Sequence, residues 1–277
     1  MRILVTGATG KIGRHLIDEL QRTGHQVRAL TRTPDQADLP DGVEVVPGDL
    51  INATTLEDAF DGIDTLHLIT FGGDQMEDLT NGKEIVTLAE SHGITRATVL
   101  AGWAPTSIEE ALSVSAIAWS RLEPVEVMVN ALEWSDEIRN AGTVSMLANY
   151  PSAMVHEADI AAVAALALTS AGHEGRAYSL TGPEALTAEQ RTRVIGDATG
   201  RELTFVQLSE AEERSRLASY GYDDEYVEFG IELALDPPPA AGHVLSTVED
   251  LTGRPARTFT QWAEENADQF KTATWPT

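Results

Sequence analysis

The sequence predicts an α/β protein built on a doubly wound parallel sheet, with a smaller C-terminal α/β region serving as a substrate-binding lid. Two observations predict it. An apolar run, Ile3-Leu4-Val5, passes through glycines at positions 7, 10 and 13 into an amphipathic stretch at residues 14–21. Short apolar runs then keep alternating with helical patterns, the mark of repeated strand–helix units whose crossovers cover both faces of a parallel sheet.

The first unit carries the chemistry. In Val5-Thr6-Gly7-Ala8-Thr9-Gly10-Lys11-Ile12-Gly13 the first glycine permits a tight turn. The second lets backbone approach a phosphate, and the third lets the helix pack closely on the strand. A helix N-terminus there points N–H groups and a partial positive charge at an anion. The combination is Rossmann-like and predicts a dinucleotide pyrophosphate site.

The remaining elements follow in order. Residues 26–31 form a second strand after the stop Thr23-Gly24-His25, and 43–46 a third that ends at Pro47-Gly48-Asp49-Leu50. Residues 54–60 read as a helix, 65–70 as a fourth strand, 76–91 as a long helix closed by Gly93, and 97–101 as a fifth strand. Right-handed crossovers give the strand order 3-2-1-4-5, with later strands added. Beyond it, 108–115 is a helix, 118–122 a sixth strand before Pro124, and 132–140 a helix. An alanine-rich helix at 157–168 is expected to pack closely on the sheet, followed by a strand at 177–180. A helix at 187–199 with Thr187 as its N-cap, a strand at 204–207 and helices at 209–218, 223–234 and 260–270 complete the chain, with Pro237-Pro238-Pro239 as a break. The expected division is a dinucleotide-binding region at 1–150, to which 155–181 returns, and a smaller region at 182–277 that completes a substrate cleft.

Composition narrows the function. The 277 residues include no cysteine, which removes disulfides, thiolate metal sites and cysteine nucleophiles. The net charge of -25 opposes a nucleic-acid partner, whose phosphates need a cationic surface. An N-terminal core strand leaves no place for a signal peptide, and no apolar run is long enough to span a membrane, so a cytoplasmic protein is expected. Against the acidic background the basic residues around the glycines, Lys11, Arg14 and Arg32, stand out.

Cofactor choice is read at the end of the second strand. An acid there binds a ribose 2′-hydroxyl and an arginine accommodates a 2′-phosphate. The chain reads Ala29-Leu30-Thr31-Arg32-Thr33, so NADP(H) is expected, with Arg32 on the phosphate and Lys11 and Arg14 adding charge. The candidate cofactor residues are Gly7, Thr9, Gly10, Lys11, Ile12, Arg32, Asp49, Leu50, Thr70, Phe71 and Gly102.

A catalytic acid is not found. The residues four positions before Lys11, Lys83 and Lys271 are Gly7, Leu79 and Ala267, so a Tyr-Lys pair of the alcohol-dehydrogenase kind is absent. No Gly-x-Ser-x-Gly elbow occurs, and the seven histidines lack metal-ligand spacing, so no metal is expected. His67 reads as a core or cleft residue rather than a catalyst, and His156 as a helix-start residue, with substrate contact the lesser alternative. A hydride site without an acid suits quinones and similar electron-poor acceptors, which need positioning more than protonation. The candidate substrate residues are Trp103, Val125, Met128, Asn130, Trp134 and Tyr150.

Further segments carry a resemblance: Gly48-Asp49-Leu50, Glu109-Glu110-Ala111-Leu112, Leu122-Glu123-Pro124, Asn130, Asp159-Ile160-Ala161, Leu180-Thr181-Gly182-Pro183-Glu184, and Leu251-Thr252-Gly253-Arg254-Pro255 before a helix containing Trp262. With the glycine loop they make the chain similar to the NmrA-like members of the atypical short-chain dehydrogenases/reductases over nearly its whole length. That resemblance implies an NADPH-dependent reductase of a quinone or related aromatic carbonyl compound, in secondary metabolism. It also covers two alternatives. One is a flavin- and metal-independent oxygenation (monooxygenase) component that acts on an aromatic polyketide through its quinol, with a small partner protein, in antibiotic biosynthesis. The other is an NADP-binding redox sensor without turnover. The family places an arginine before the proline after the sixth strand, where this chain has Glu123.

Overall fold

The computed structural model of the chain describes residues 1–73, 76–102 and 104–271. Strand β1 (Arg2–Val5) buries Ile3, Leu4 and Val5 completely, as a strand covered on both faces must. Helix α1 (Lys11–Arg22) buries Gly13, Leu16, Ile17 and Leu20, a single stripe at spacings of three and four. Strand β2 (Gln26–Thr31) matches the expected bounds, and β3 (Glu44–Pro47) lies one residue later than expected. The helix expected at 54–60 is split: the Asn52 side chain accepts a hydrogen bond from Thr54 N and tightens Ala53–Thr55 into a 3-10 turn before α2 (Glu57–Phe60).

After β4 (Thr65–Ile69) the chain departs from the sequence reading. Residues 76–81 are not helical. A small antiparallel ribbon of β5 (Phe71–Gly72) and β6 (Glu77–Asp78) precedes α3 (Gly82–Ser91). Met76 has φ 57°, which a helix does not allow, and Leu79 N donates to the Thr70 carbonyl at 2.9 Å, closing the ribbon. Strand β7 (Arg96–Leu100), α4 (Ser107–Ser113) and β8 (Ala118–Pro124) follow.

A 3-10 segment, Met128–Trp134, leads into α5 (Ser135–Ala141), and β9 (Thr143–Met146) was not expected. Only one side chain of β9, Val144, is buried, too little apolar pattern to mark a strand. Helix α6 (Glu157–Thr169), β10 (Ala177–Leu180), α7 (Ala188–Thr199), β11 (Thr204–Gln207), α8 (Glu210–Ser219) and α9 (Asp224–Leu235) follow the sequence reading closely. Thr187 caps α7 in a reciprocal box with Gln190. Helix α10 (Thr247–Thr252) is additional. The final helix is shorter than expected, α11 (Phe259–Glu265) and then a 3-10 turn (Ala267–Phe270), and between them both the backbone and the side chain of Asn266 donate to the Trp262 carbonyl.

The chain forms two compact units. The first comprises Met1–Pro124, Glu157–Leu180 and Thr247–Arg254, and the second Val125–His156, Thr181–Ser246 and Pro255–Thr277. Residues 125–150 thus belong to the second unit rather than to the dinucleotide-binding region. The first unit holds a seven-stranded parallel sheet in the order β10-β8-β7-β4-β1-β2-β3, flanked by helices. This is the doubly wound order with three strands added beyond the fourth. Helix α6 packs on α1 and on β4, β7 and β8, and its small side chains are buried nearly all round. Leu4, Phe60, Leu66, Leu68 and Val99 lie in the core of this unit. In the second unit, β11 pairs in parallel with β9, and Met128, Ile138, Ile195, Phe259, Trp262 and Phe270 form the core.

Candidate functional site

Strand β1 lies between β2 and β4, where the winding of the first unit reverses, and ligands of such sheets sit beyond the strand ends at that point. Thr6 locks the two strand ends together. Its buried hydroxyl donates to the His67 carbonyl at 2.9 Å and accepts from Ile69 N at 2.9 Å. Gly7 then turns with φ +60°, and Gly10 N donates to the Gly7 carbonyl at 2.9 Å. A Cβ on Gly13 would stand 2.2 Å from that same oxygen, so the turn and α1 meet backbone to backbone. The N-cap of α1 is Gly10, which brings no side chain to the first turn, and no acid lies in that turn. These residues fit a pyrophosphate: the cradle is bare of side chains and ends in amides directed at an anion.

Lys11 is exposed at the start of α1, with Thr9 and Gly10 exposed and Ile12 half-buried beside it. Arg32 is exposed just after β2, where Thr33 N bonds back to Thr31 Oγ1 at 3.2 Å and bends the chain outward. Arg14 behaves differently from the sequence reading. Its Nε donates to the Thr9 carbonyl at 3.0 Å and its Nη1 to the Asp38 carbonyl. It therefore ties the glycine turn to the segment after β2, and its guanidinium is spent on backbone.

Beyond β3, Asp49 accepts from Ile51 N at 3.2 Å and so shapes the turn. Leu50 is buried in the core, and its carbonyl accepts from Asn81 Nδ2 at 2.8 Å. Thr70 is likewise buried, its carbonyl used by the ribbon, while Phe71 is half-buried. Gly102 is exposed beyond the end of β7. Trp103 lies outside the described residues.

Two histidines are placed. His67 is fully buried, with Nδ1 2.8 Å from Thr98 Oγ1, and burial pushes it down to about 4. It is a neutral core residue. His156 is buried in the second unit with Nε2 3.1 Å from Glu265 Oε2.

A charged group that the sequence reading did not find lies near the C-terminal end of β8. Buried Glu109 accepts from Thr106 N at 2.6 Å and from Arg121 Nε at 2.8 Å. Arg121 also pairs with Glu123, whose other oxygen accepts from Ser179 at 3.1 Å. Arg121 and Glu123 share one face of the strand, two residues apart, which is the signal that was available. Burial works against the Arg121 charge, but the bond to Glu109 and the two carboxylates outweigh it and raise its pKa.

In the second unit, Val125 is half-buried and Asn130 exposed. Met128 is 1% exposed and packed in the core of this unit. Trp134 is half-buried with the Arg191 guanidinium 5.5 Å from its ring centre. Arg191 also approaches Glu126 at 3.3 Å. Burial, with Glu126 nearby, raises the Tyr150 phenol, and Arg191 offsets this only in part.

Residues 7–116 match the NAD(P)H-binding family model. A (4-alkanoyl-5-oxo-2,5-dihydrofuran-3-yl)methyl phosphate reductase of Streptomyces griseus is 35% identical, over 97% of this chain and 99% of its own. The NAD(P)H azoreductase of Xenophilus azovorans is 32% identical over 98% of this chain and 100% of its own. The fold is shared with an NADPH-dependent quinone oxidoreductase of Escherichia coli solved with NADPH, at a TM-score of 0.79 and 24% identity over 95% of this chain and 99% of that one. Fold, cradle and relatives define an NAD(P)H-dependent oxidoreductase. The chain belongs to the family of NAD(P)H-binding oxidoreductases that includes these two relatives. Among the described residues no helix is long and apolar enough to cross a membrane.

Proposed function

We propose that the protein is an NADPH-dependent reductase of a quinone or related electron-poor aromatic carbonyl compound. The observation that carries this reading is the bare glycine cradle followed by Arg32, with no carboxylate at residues 29–33 to take a ribose 2′-hydroxyl. Gly7, Gly10 and the first turn of α1 hold the pyrophosphate, and Lys11 and Arg32 supply positive charge. Arg14 holds the two loops that carry them. When bound, the nicotinamide supplies a hydride.

The chain's own contribution is positioning. His67 is neutral in the core, and no Tyr-Lys pair is present, so the acceptor has to be one whose reduced oxygen is stable as a delocalised anion. Similarity to an azoreductase supports an acceptor with conjugated, electron-poor character. Trp134 and Tyr150 are assigned to the acceptor, and Asp49 and Phe71 to the cofactor.

Purified protein mixed with NADPH and a panel of benzo-, naphtho- and anthraquinones is expected to consume NADPH. Tight NADPH binding without consumption on any acceptor would overturn the reductase reading. Oxygen uptake coupled to a hydroxylated product would move the protein to the oxygenation role.

A further inference from the structure

Helices α8 and α9 form a hairpin whose two sides differ. Leu217, Val227 and Ile231 are buried on its inner side. On α9, Tyr226 and Phe229 stand on the opposite face, and with Tyr222 they are 46%, 41% and 40% exposed. The Tyr222 and Tyr226 rings are stacked, with centres 4.2 Å apart, and the Phe229 ring centre lies 6.4 Å from that of Tyr226. Three large aromatic rings left in water, two on one face of α9 and Tyr222 just before its N-cap Asp223, lose the burial that such side chains normally gain. Arg214 braces the hairpin by bonding Glu210 of α8 at 2.9 Å and Glu228 of α9 at 3.0 Å, so the rings sit on a fixed support.

The helix that carries Tyr226 and Phe229 is acidic. Helix α9 contains Asp224, Glu225, Glu228 and Glu232 and no Lys or Arg. The rings of this unit already take cations: the Arg216 guanidinium lies 5.4 Å from the Tyr220 ring centre and that of Arg191 5.5 Å from Trp134. Electron-rich faces bordered by carboxylates attract a planar cation through quadrupole and charge together, and repel an anion.

We propose that Tyr222, Tyr226 and Phe229, bordered by the carboxylates of α9, form a stacking platform for a planar aromatic cation. The platform discriminates among aromatic ligands by their charge. Neutral quinones bind it through stacking alone, and sulfonated or carboxylated aromatics are disfavoured.

The test is a fluorescence titration of the full-length protein without NADPH, using ethidium as the planar cation and 8-anilinonaphthalene-1-sulfonate as the anion. Ethidium is expected to bind at least about tenfold more tightly than the sulfonate, and Tyr222→Ala and Tyr226→Ala each to weaken it about tenfold. Tyr226→Phe should retain most of the affinity. NADPH binding, followed in parallel, reports that each variant is folded. Ethidium affinity unchanged in both alanine variants would overturn the platform, because that is what attraction to the overall charge of -25 alone would give. Equal affinity for the two dyes would overturn it as well. Failure of NADPH consumption on every acceptor, with the dye pattern intact, would instead remove the reductase reading and leave the binding face standing.

Discussion

Gly13 and Gly7 touch through their backbones: a Cβ on Gly13 would lie 2.2 Å from the Gly7 carbonyl oxygen and 2.9 Å from Ala8 Cα. Neither neighbour is a flexible side-chain end, so α1 must move if Gly13 gains a methyl group. Gly13→Ala is expected to cost about 1–3 kcal/mol in stability and to lower NADPH affinity more than tenfold, since the turn that faces the phosphates shifts with the helix. Urea unfolding and calorimetric titration with NADPH measure the two effects. Native affinity in a destabilised variant would separate the packing of α1 from phosphate binding.

Arg32 is exposed after β2 and carries the cofactor preference in the reading above. A charge-assisted contact to a phosphate contributes about 1.5–3 kcal/mol. Arg32→Ala should therefore weaken NADPH roughly ten- to hundredfold and leave NADH within about twofold. Equal losses for the two cofactors would remove the 2′-phosphate assignment.

Arg14→Gln isolates a different contribution. The substitution removes the tie from Thr9 to the Asp38 carbonyl while leaving the glycines and Arg32 in place. Because the tie orders two loops rather than reading the extra phosphate, NADPH and NADH should both weaken, each about threefold to tenfold. A loss confined to NADPH would place Arg14 on the 2′-phosphate directly.

The sheet was legible in the sequence because each parallel strand is a short apolar run beside a helix with one buried stripe, as in Ile3-Leu4-Val5 and Leu16, Ile17 and Leu20. The glycine turn was legible because its backbone contacts exclude a side chain. The ribbon after β4 was not: its strands are two residues each, and what stops the helix is the left-handed backbone of Met76, a residue with no preference for that conformation. Leu50 and Met128 show a limit of the sequence pattern. An apolar residue in a functional segment looks the same whether it faces a ligand or the core, and both are buried in cores here. The Glu109–Arg121–Glu123 group joins residues on a helix and a strand, and linear spacing carries only the Arg121–Glu123 half of it.

His67 makes stability depend on pH. Its folded pKa is lowered from 6.5 to about 4 by burial, so the unfolded chain binds a proton that the folded chain refuses. Stability is fully present above about pH 6.5 and is lost as the pH falls toward about 4, below which this group adds no further slope. The shift corresponds to about 3 kcal/mol, at about 1.4 kcal/mol for each pH unit. Urea unfolding at several pH values should show this decline in the native protein, and His67→Asn should be less stable at neutral pH but flatter with pH. Parallel curves for the two proteins would exclude His67 as the source.

Glu109 and Arg121 are coupled by burial. Glu109 is 4% exposed and its Oε1 lies 2.8 Å from Arg121 Nε, while its Oε2 caps Thr106. Removing the arginine leaves a carboxylate out of water with its cap bonds but without its counter-charge, a change that costs about 3 kcal/mol or more when a pair is fully buried. Arg121 is partly exposed, so Arg121→Gln should cost less, about 2 kcal/mol. Glu109→Gln added to that variant removes the stranded charge while an amide oxygen can still accept from Thr106, so the double variant should be more stable than Arg121→Gln alone. A double-mutant cycle by urea unfolding measures the coupling. Additive losses would show that Glu109 draws its stability from the Thr106 cap, with Arg121 a bystander at the strand end.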